Sequence, residues 1–384
     1  MKGMLNQKIG ILGGGQLGKM LYQAATPLNL DIHFMDQSVE FPVGRICPHF
    51  TVGDFKNYED VIRFGADKDV ISIEIEAINA EALADLETQG KHIYPQPHII
   101  KTIQDKGLQK DFFTRNSFKT SAYSLVPDST SIKNKIAAKQ INYPFVQKLR
   151  KDGYDGKGVQ IISTESDQQH LFDAPSVIED LIDLKAEIAV IVAHSSSGEF
   201  AIYDPVDMVF DHKANLLDYQ LAPASLSDEK IKEAKFLAKA VSQQLGIVGL
   251  LAVEMFIDHQ DQLWINELAP RPHNSGHHTI EACVTSQYEQ HLRCILGLPL
   301  GSTALTSQSL LMNLLGADHH VGPAHYESLD NCMALEGVHI HLYGKEQTKP
   351  YRKMGHVNIV DPDLASAKYK YQYIKKHLKV VSHG

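Results

Sequence analysis

The chain has 384 residues, 43% apolar, 22% charged and 8% aromatic, the proportions of an ordinary soluble protein long enough for two or three domains. A net charge of −9 argues against nucleic acid or an anionic membrane as partner, although residues 339–384 carry nine Lys/Arg against three Asp/Glu, or +6, leaving −15 elsewhere. Cys47, Cys283, Cys294 and Cys332 lie far apart with no C-x-x-C pair, which offers neither a zinc cage nor a disulfide frame and favours a reducing compartment.

In chain order, residues 8–12 form a short apolar run that leads into Gly13-Gly14-Gly15-Gln16-Leu17-Gly18. Leu17, Met20, Leu21 and Ala24 then recur at helical spacing. Apolar runs at 32–35 and 70–75 close on Asp36 and on Glu74 and Glu76, and His92-Ile93-Tyr94 precedes Pro95 and Pro97. This alternation predicts a parallel sheet with helices on its faces, an α/β domain over 1–104. A helix is expected over 106–116, then short strands at 143–149, 159–163, 177–179 and 187–192, an α+β pattern. Ser227 reads as an N-cap, with Asp228 and Glu229 in the first turn, a stripe of Ile231, Leu237 and Val241, and a stop at Gly246. A strand pair follows, and residues 298–384 mix strands with a Lys-rich helix. The opening residues lack the apolar run of an export signal, and 245–257 is too short to span a bilayer, so a cytoplasmic protein is expected.

The glycine loop, with Asp36 ending the next strand, satisfies a dinucleotide fingerprint and supports an NAD-dependent oxidoreductase using Gly13, Gly15, Gly18 and Asp36. Close packing of turn and helix, or a different anionic ligand, would need the same glycines. A second candidate is the hairpin 252–258/263–268 about the turn 259–262. Folded about the middle of that turn, it sets Glu254 opposite Glu267, Phe256 opposite Ile265 and Ile257 opposite Trp264. Opposed residues share a face with Cβ atoms about 5 Å apart, and two carboxylates so placed repel unless a cation lies between them. Mg²⁺ suits both oxygen ligands and ATP phosphates; a shifted register with one Glu paired to an Arg is the competing reading.

Asp152-Gly153-Tyr154-Asp155-Gly156-Lys157-Gly158 is a loop with exposed amides and one lysine, suited to closing over a triphosphate, or else a plain hairpin turn. It is not a Walker loop, since no G-K-[ST] occurs and no helix follows. After Glu267, the run Leu268-Ala269-Pro270-Arg271-Pro272-His273-Asn274-Ser275-Gly276-His277-His278 invites a zinc reading, but Pro270, Pro272 and Gly276 disfavour a regular helix face for His273 and His277. Arg271, His273 and Asn274 fit better as a shell for an anion such as bicarbonate. Residues 344–353 hold Lys345, Lys349, Arg352 and Lys353, either a phosphate clamp or a solvated loop.

Together these segments resemble the N5-carboxyaminoimidazole ribonucleotide synthetase family of ATP-grasp enzymes. The likeness runs through GGGQLGKM, DGYDGKG, VEMF, INELAPRPHNSGHHT, MNLLGAD and GKEQTKPYRKMGHVN, nearly the whole chain. It implies a Rossmann-like first domain that binds no NAD, an ATP-grasp domain at 105–297 with a lid at about 122–182, and a small domain at 298–384. It also implies ATP-dependent carboxylation of aminoimidazole ribonucleotide with bicarbonate and Mg²⁺, in a homodimer. By the same resemblance, ATP would be held by Lys106, Lys148, the lid loop from Gly153 through Tyr154, Asp155, Gly156 and Lys157 to Gly158, and by Glu179, Asp180, Leu181 and Ile182 at adenine. Glu187 would bind the ribose, with His212 and Asn266 near the nucleotide. Glu254 and Glu267 would be the magnesium ligands. Gln16, Tyr154, Asp155, Arg271, Lys345, Arg352 and Lys353 would hold the ribonucleotide, and Arg271, His273 and Asn274 would act where bicarbonate meets the amine. The chain departs from the family's usual residues at Asp152, Asp180 and Asp207.

Overall fold

The computed structural model describes residues 3–151, 153, 158–211 and 216–383. The expected parallel sheet forms first, in the spatial order Phe50–Val52, Asp31–Asp36, Lys8–Leu12, Val70–Ile73, His92–Ile93. All its pairings are parallel. Its apolar strands are covered by the helices Gln16–Ala25, Tyr58–Gly65 and Ala80–Thr88, whose Asn57 and Asn79 caps accept from Asp60 and Ala82 amides.

The rest of the chain is organised by a nine-stranded antiparallel sheet. Its path runs Leu263–Ala269, Gly249–Asp258, Leu184–His194, Val206–Asp211, Leu216–Ala222, Ser309–Leu315, Lys353–Val360, Val338–Leu342, with Phe200–Ile202 added beside Leu184–His194. The last three strands of this path come from the segment after residue 298, so the C-terminal region extends this sheet and adds only two short two-stranded sheets of its own. A smaller antiparallel sheet, Tyr123–Val126, Ser176–Asp180, Phe145–Leu149, Val159–Ile162, stands over it.

Helix Asp228–Leu245 starts at Ser227, whose hydroxyl accepts from the Lys230 amide, and stops at Gly246 with φ 69°. Its buried face is Ala234, Ala238 and Val241, with Leu237 at the rim and Ile231 only half buried, because the small alanines let the helix sit close on Val190, Val253 and Met255. Helix Leu364–His377 covers Leu310, Met312 and Ile359 with Ala367, Tyr371 and Ile374. All four cysteines are buried and unpaired, and no described helix is long and apolar enough to cross a membrane.

Helix Gln287–Leu296 joins the first domain to the second. Its Tyr288, Leu292 and Ile295 pack with Ile9, Ile11 and Leu21. Inside this apolar seam His291 Nε2 lies 2.9 Å from Ser72 Oγ, and burial drives the imidazole pKa down to about 4. The folded pKa is thus depressed, so this histidine's contribution is present above its unfolded value near 6.5 and is lost as the pH falls toward 4. Between pH 7.5 and pH 5 it should cost about 2 kcal/mol of stability, and His291→Gln should flatten that acid limb in denaturant melts. An unchanged pH slope in the variant would contradict the assignment.

Candidate active site

The hairpin Gly249–Asp258/Leu263–Ala269 sets Glu254 directly opposite Glu267. Toward the turn the register differs from the expectation, Phe256 facing Trp264 and Ile257 facing Leu263, while Val253 still pairs with Leu268. Asp258 closes the turn tightly, accepting from the Gln260 and Gln262 amides and from Trp264 Nε1, while Asp261 takes the left-handed conformation at φ 58°. That moves the pairing by one residue, and a bulge between Met255 and Glu254 moves it back. Asn266 is the extra residue. Burial alternates along Val253–Ile257, but Asn266 and Glu267 are both half exposed in succession, so the bulge turns two neighbouring side chains toward one cavity.

Glu254 feels the charge of two other carboxylates, Glu267 and Glu187. Glu187 lies on the neighbouring strand, two residues from Ala189, which pairs with Glu254. Burial, then Glu267 and then Glu187 raise the Glu254 carboxyl to about 8, and burial raises Glu187 to about 7. Lys106 is ion-paired with Glu267, and His273 Nε2 stands 3.6 Å from Glu254 Oε1. An excess of hard oxygen donors over cations fits a divalent metal such as Mg²⁺.

Lys148 reaches in from the smaller sheet, donating to Asn266 Oδ1 at 2.8 Å and pairing with Glu179 Oε1 at 3.0 Å. Although burial alone would raise Glu179, Lys148 and Lys110 outweigh it and hold the carboxyl at about 2. Lys106, Gln109, Lys110, Lys148, Glu179, Asn266 and Glu267 thus line one cavity. Asp180 and Leu181 follow at the exposed end of Ser176–Asp180, with Ile182 half buried. Of the loop 152–158, only Gly153 and Gly158 are described; Tyr154, Asp155, Gly156, Lys157 and His212 lie outside the described residues.

Arg271 emerges past the hairpin and pairs with Glu76 of the first domain at 2.7 Å. His273 is fixed through Nδ1 by Ser275 Oγ at 2.9 Å and through its backbone by Gln287, with Asn274 next in the turn. His277 Nδ1 lies 2.8 Å from Tyr288 OH. The carbonyl of His277 accepts from Asn358 Nδ2 at 3.0 Å, tying this turn to strand Lys353–Val360. At the head of that strand Lys345 Nζ donates to the Lys353 carbonyl at 2.8 Å and Arg352 to the Gln347 carbonyl at 2.6 Å. Gln16 opens helix Gln16–Ala25, whose Lys19 reaches the Leu342 carbonyl at 2.8 Å, and Arg45 pairs with Glu346 at 2.6 Å. The glycine loop, the basic loop and the Arg271 turn therefore meet.

The glycine loop itself is already supplied with anions. Glu74 accepts from the Gly15 and Gly18 amides at 2.7 and 2.8 Å, and Asp36 accepts from Gly14 at 2.7 Å. A Cβ on Gly13, which has φ 106°, would lie 2.5 Å from Glu74 Cγ. The donors a pyrophosphate would use are taken by a side chain of the same domain, so the NAD-dependent alternative is not supported. Residue patterns did not single out Lys110 or Gln109, nor did they pair Glu74 with Gly15 and Gly18 or Glu76 with Arg271. The signal available for the acidic pair was position, carboxylates just past the C-terminal end of a buried parallel strand.

A cleft between a small antiparallel sheet and a large one, floored by lysines and paired carboxylates, defines an ATP-grasp ligase, which uses ATP. The family model for the ATP-grasp domain matches residues 111–288, that for the ribonucleotide synthetase preATP-grasp domain matches 6–104, and that for the phosphoribosylaminoimidazole carboxylase C-terminal domain matches 309–370. The N5-carboxyaminoimidazole ribonucleotide synthase of Synechococcus elongatus is 35% identical over 92% of this chain and 89% of its own. The crystal structure of N5-carboxyaminoimidazole ribonucleotide synthetase from Thermotoga maritima superposes with a TM-score of 0.90 at 38% identity, covering 98% and 100% of the two chains. The Aspergillus clavatus synthase, solved with ADP and 5-aminoimidazole ribonucleotide, gives 0.88 at 29% identity over 97% and 98%. The chain belongs to the N5-carboxyaminoimidazole ribonucleotide synthetase family. It also matches the phosphoribosylaminoimidazole carboxylase of Saccharomyces cerevisiae at 35% identity over 97% of its length, but spans only 66% of that longer protein.

Proposed function

We propose that this ligase carboxylates 5-aminoimidazole ribonucleotide with bicarbonate, giving N5-carboxyaminoimidazole ribonucleotide, ADP and phosphate by way of carboxyphosphate. The observation that carries the proposal is the direct opposition of Glu254 and Glu267 beside Lys106, Lys148 and Asn266. Glu254 and Glu267 would hold Mg²⁺, which when bound neutralises charge on the transferring phosphoryl group. Lys106 and Lys148 supply fixed positive charge to the ATP phosphates, Glu187 takes the ribose hydroxyls, and Glu179 to Ile182, with His212, border the base. Bicarbonate attacks the γ-phosphate while Arg271, His273 and Asn274 orient it.

Arg271 is held against Glu76, and His273 Nδ1 against Ser275, so neither side chain has to be ordered when the anion arrives. The ribonucleotide amine then takes the carboxyl group, while Lys345, Arg352 and Lys353 hold its phosphate and Gln16, Tyr154 and Asp155 its other polar groups. By its sequence the loop 152–158 is assigned the exclusion of water from a hydrolytically fragile intermediate. Three regions, 1–104, 105–297 and 298–384, share these tasks in a cytoplasmic homodimer. Phosphate release should require ATP, bicarbonate and aminoimidazole ribonucleotide together; full release with the ribonucleotide replaced by another purine precursor would redirect the assignment.

A further inference from the structure

We propose that Lys110 is a positioning residue for the nucleotide, which keeps Lys148 available to ATP phosphates by sharing the charge of Glu179. The inference rests on the ATP-site reading given above. Lys110 is 2% exposed and lies one helical turn after Lys106 on helix Lys106–Arg115, so the helix presents both ammonium groups to the same cavity. The Lys110 ammonium has three protons and meets three oxygens: Thr120 Oγ1 at 2.6 Å, Ser121 Oγ at 2.9 Å and Glu179 Oε2 at 3.0 Å. With these contacts made, it has no donor left to offer a ligand.

Its effect must then pass through Glu179. That carboxylate is 3% exposed and divided between two lysines: Oε2 is ion-paired with Lys110 and accepts from Ser121 Oγ at 2.6 Å, while Oε1, which accepts no hydrogen bond from the described residues, is ion-paired with Lys148 at 3.0 Å. Two cations against one anion leave a net positive charge in a dry place, and the cation able to lend it is Lys148, which also reaches Asn266 beside Glu267. Without Lys110 the carboxylate would lean wholly on Lys148, and the resulting neutral pair would draw phosphate oxygens far less strongly at low dielectric. The same contacts join the smaller sheet to the body, since Thr120 Oγ1 donates to the Ile265 carbonyl at 2.8 Å.

Steady-state kinetics of the full chain test this with Lys110→Met, Glu179→Gln, the double variant and Lys148→Met, each checked for folding by thermal melt. Lys110→Met should raise KM for ATP about tenfold, the size of coupling between contacting charges, while KM for the ribonucleotide stays within about twofold. The double variant should bind ATP no more weakly than Glu179→Gln alone, because with the carboxylate gone Lys110 has no charge left to share; a merely structural role predicts losses that add. Unchanged ATP affinity in Lys110→Met, or additive losses in the double variant, would overturn the inference. If Lys110→Met does not fold, the double variant is compared with Glu179→Gln alone: equal KM for ATP supports the coupling, and several-fold weaker binding in the double variant overturns it. Lys148→Met separates the two layers. If it leaves ATP binding intact the ATP-site reading fails as well, whereas if it weakens ATP and Lys110→Met does not, the present inference alone fails.

Discussion

Replacing Glu267 by Gln is expected to lower kcat on the order of 10³-fold, about 4 kcal/mol of lost transition-state stabilisation, while the protein stays folded. Glutamine has the shape of the carboxylate and can still accept from Lys106, but it offers a divalent ion no charge. The stability should not fall with the activity, because the native pair is repulsive: Glu267 is one of the groups that push the Glu254 carboxyl up to about 8. A melting temperature equal to or above the parent, together with the loss of turnover across a magnesium titration, is therefore the expected pattern. Near-normal phosphate release at saturating Mg²⁺ would show that the pair holds no ion that matters to the chemistry.

The second large effect is expected at the opposite end of the site. Arg352→Ala should raise KM for the ribonucleotide on the order of 10²-fold, the loss of one charge-assisted contact to phosphate, with KM for ATP within about twofold. Arg352 is held by the Gln347 carbonyl and Lys345 donates to the Lys353 carbonyl, so backbone oxygens help to order both cations. A charge held this way keeps its attraction for an anion. Equal losses for ATP and ribonucleotide would move Arg352 out of the phosphate clamp and into a general structural role.

The fold was legible where local pattern and global packing agree. The strand ends at Asp36 and Ile73, the Ser227 cap and the Gly246 stop all follow from nearest-neighbour chemistry, and each stands within a residue or two of its expected place. The carboxylate pair was legible too, but through two offsetting features. Asp258 shortens the turn by fastening three donors at once, and Asn266 restores the phase by bulging out. Neither signal is visible in alternation of apolar residues, because Asn266 finds its partner, Lys148, 118 residues away. Lys110 likewise reads as an ordinary helix lysine until Ser121 and, from a distant strand, Glu179 close around it. The glycine loop misleads for a related reason: its spacing states that an anion is wanted at the helix start, and Glu74, 56 residues beyond Gly18, fills that want from within.

The shared sheet sets a limit on how this enzyme can be cut or fused. Strand Leu216–Ala222 pairs with Ser309–Leu315 through Tyr219, Gln220, Leu221 and Ala222. A chain ended near residue 298 would leave those four residues with one bare row of amides and carbonyls beside apolar side chains, the template on which copies of a truncated protein stack into aggregates.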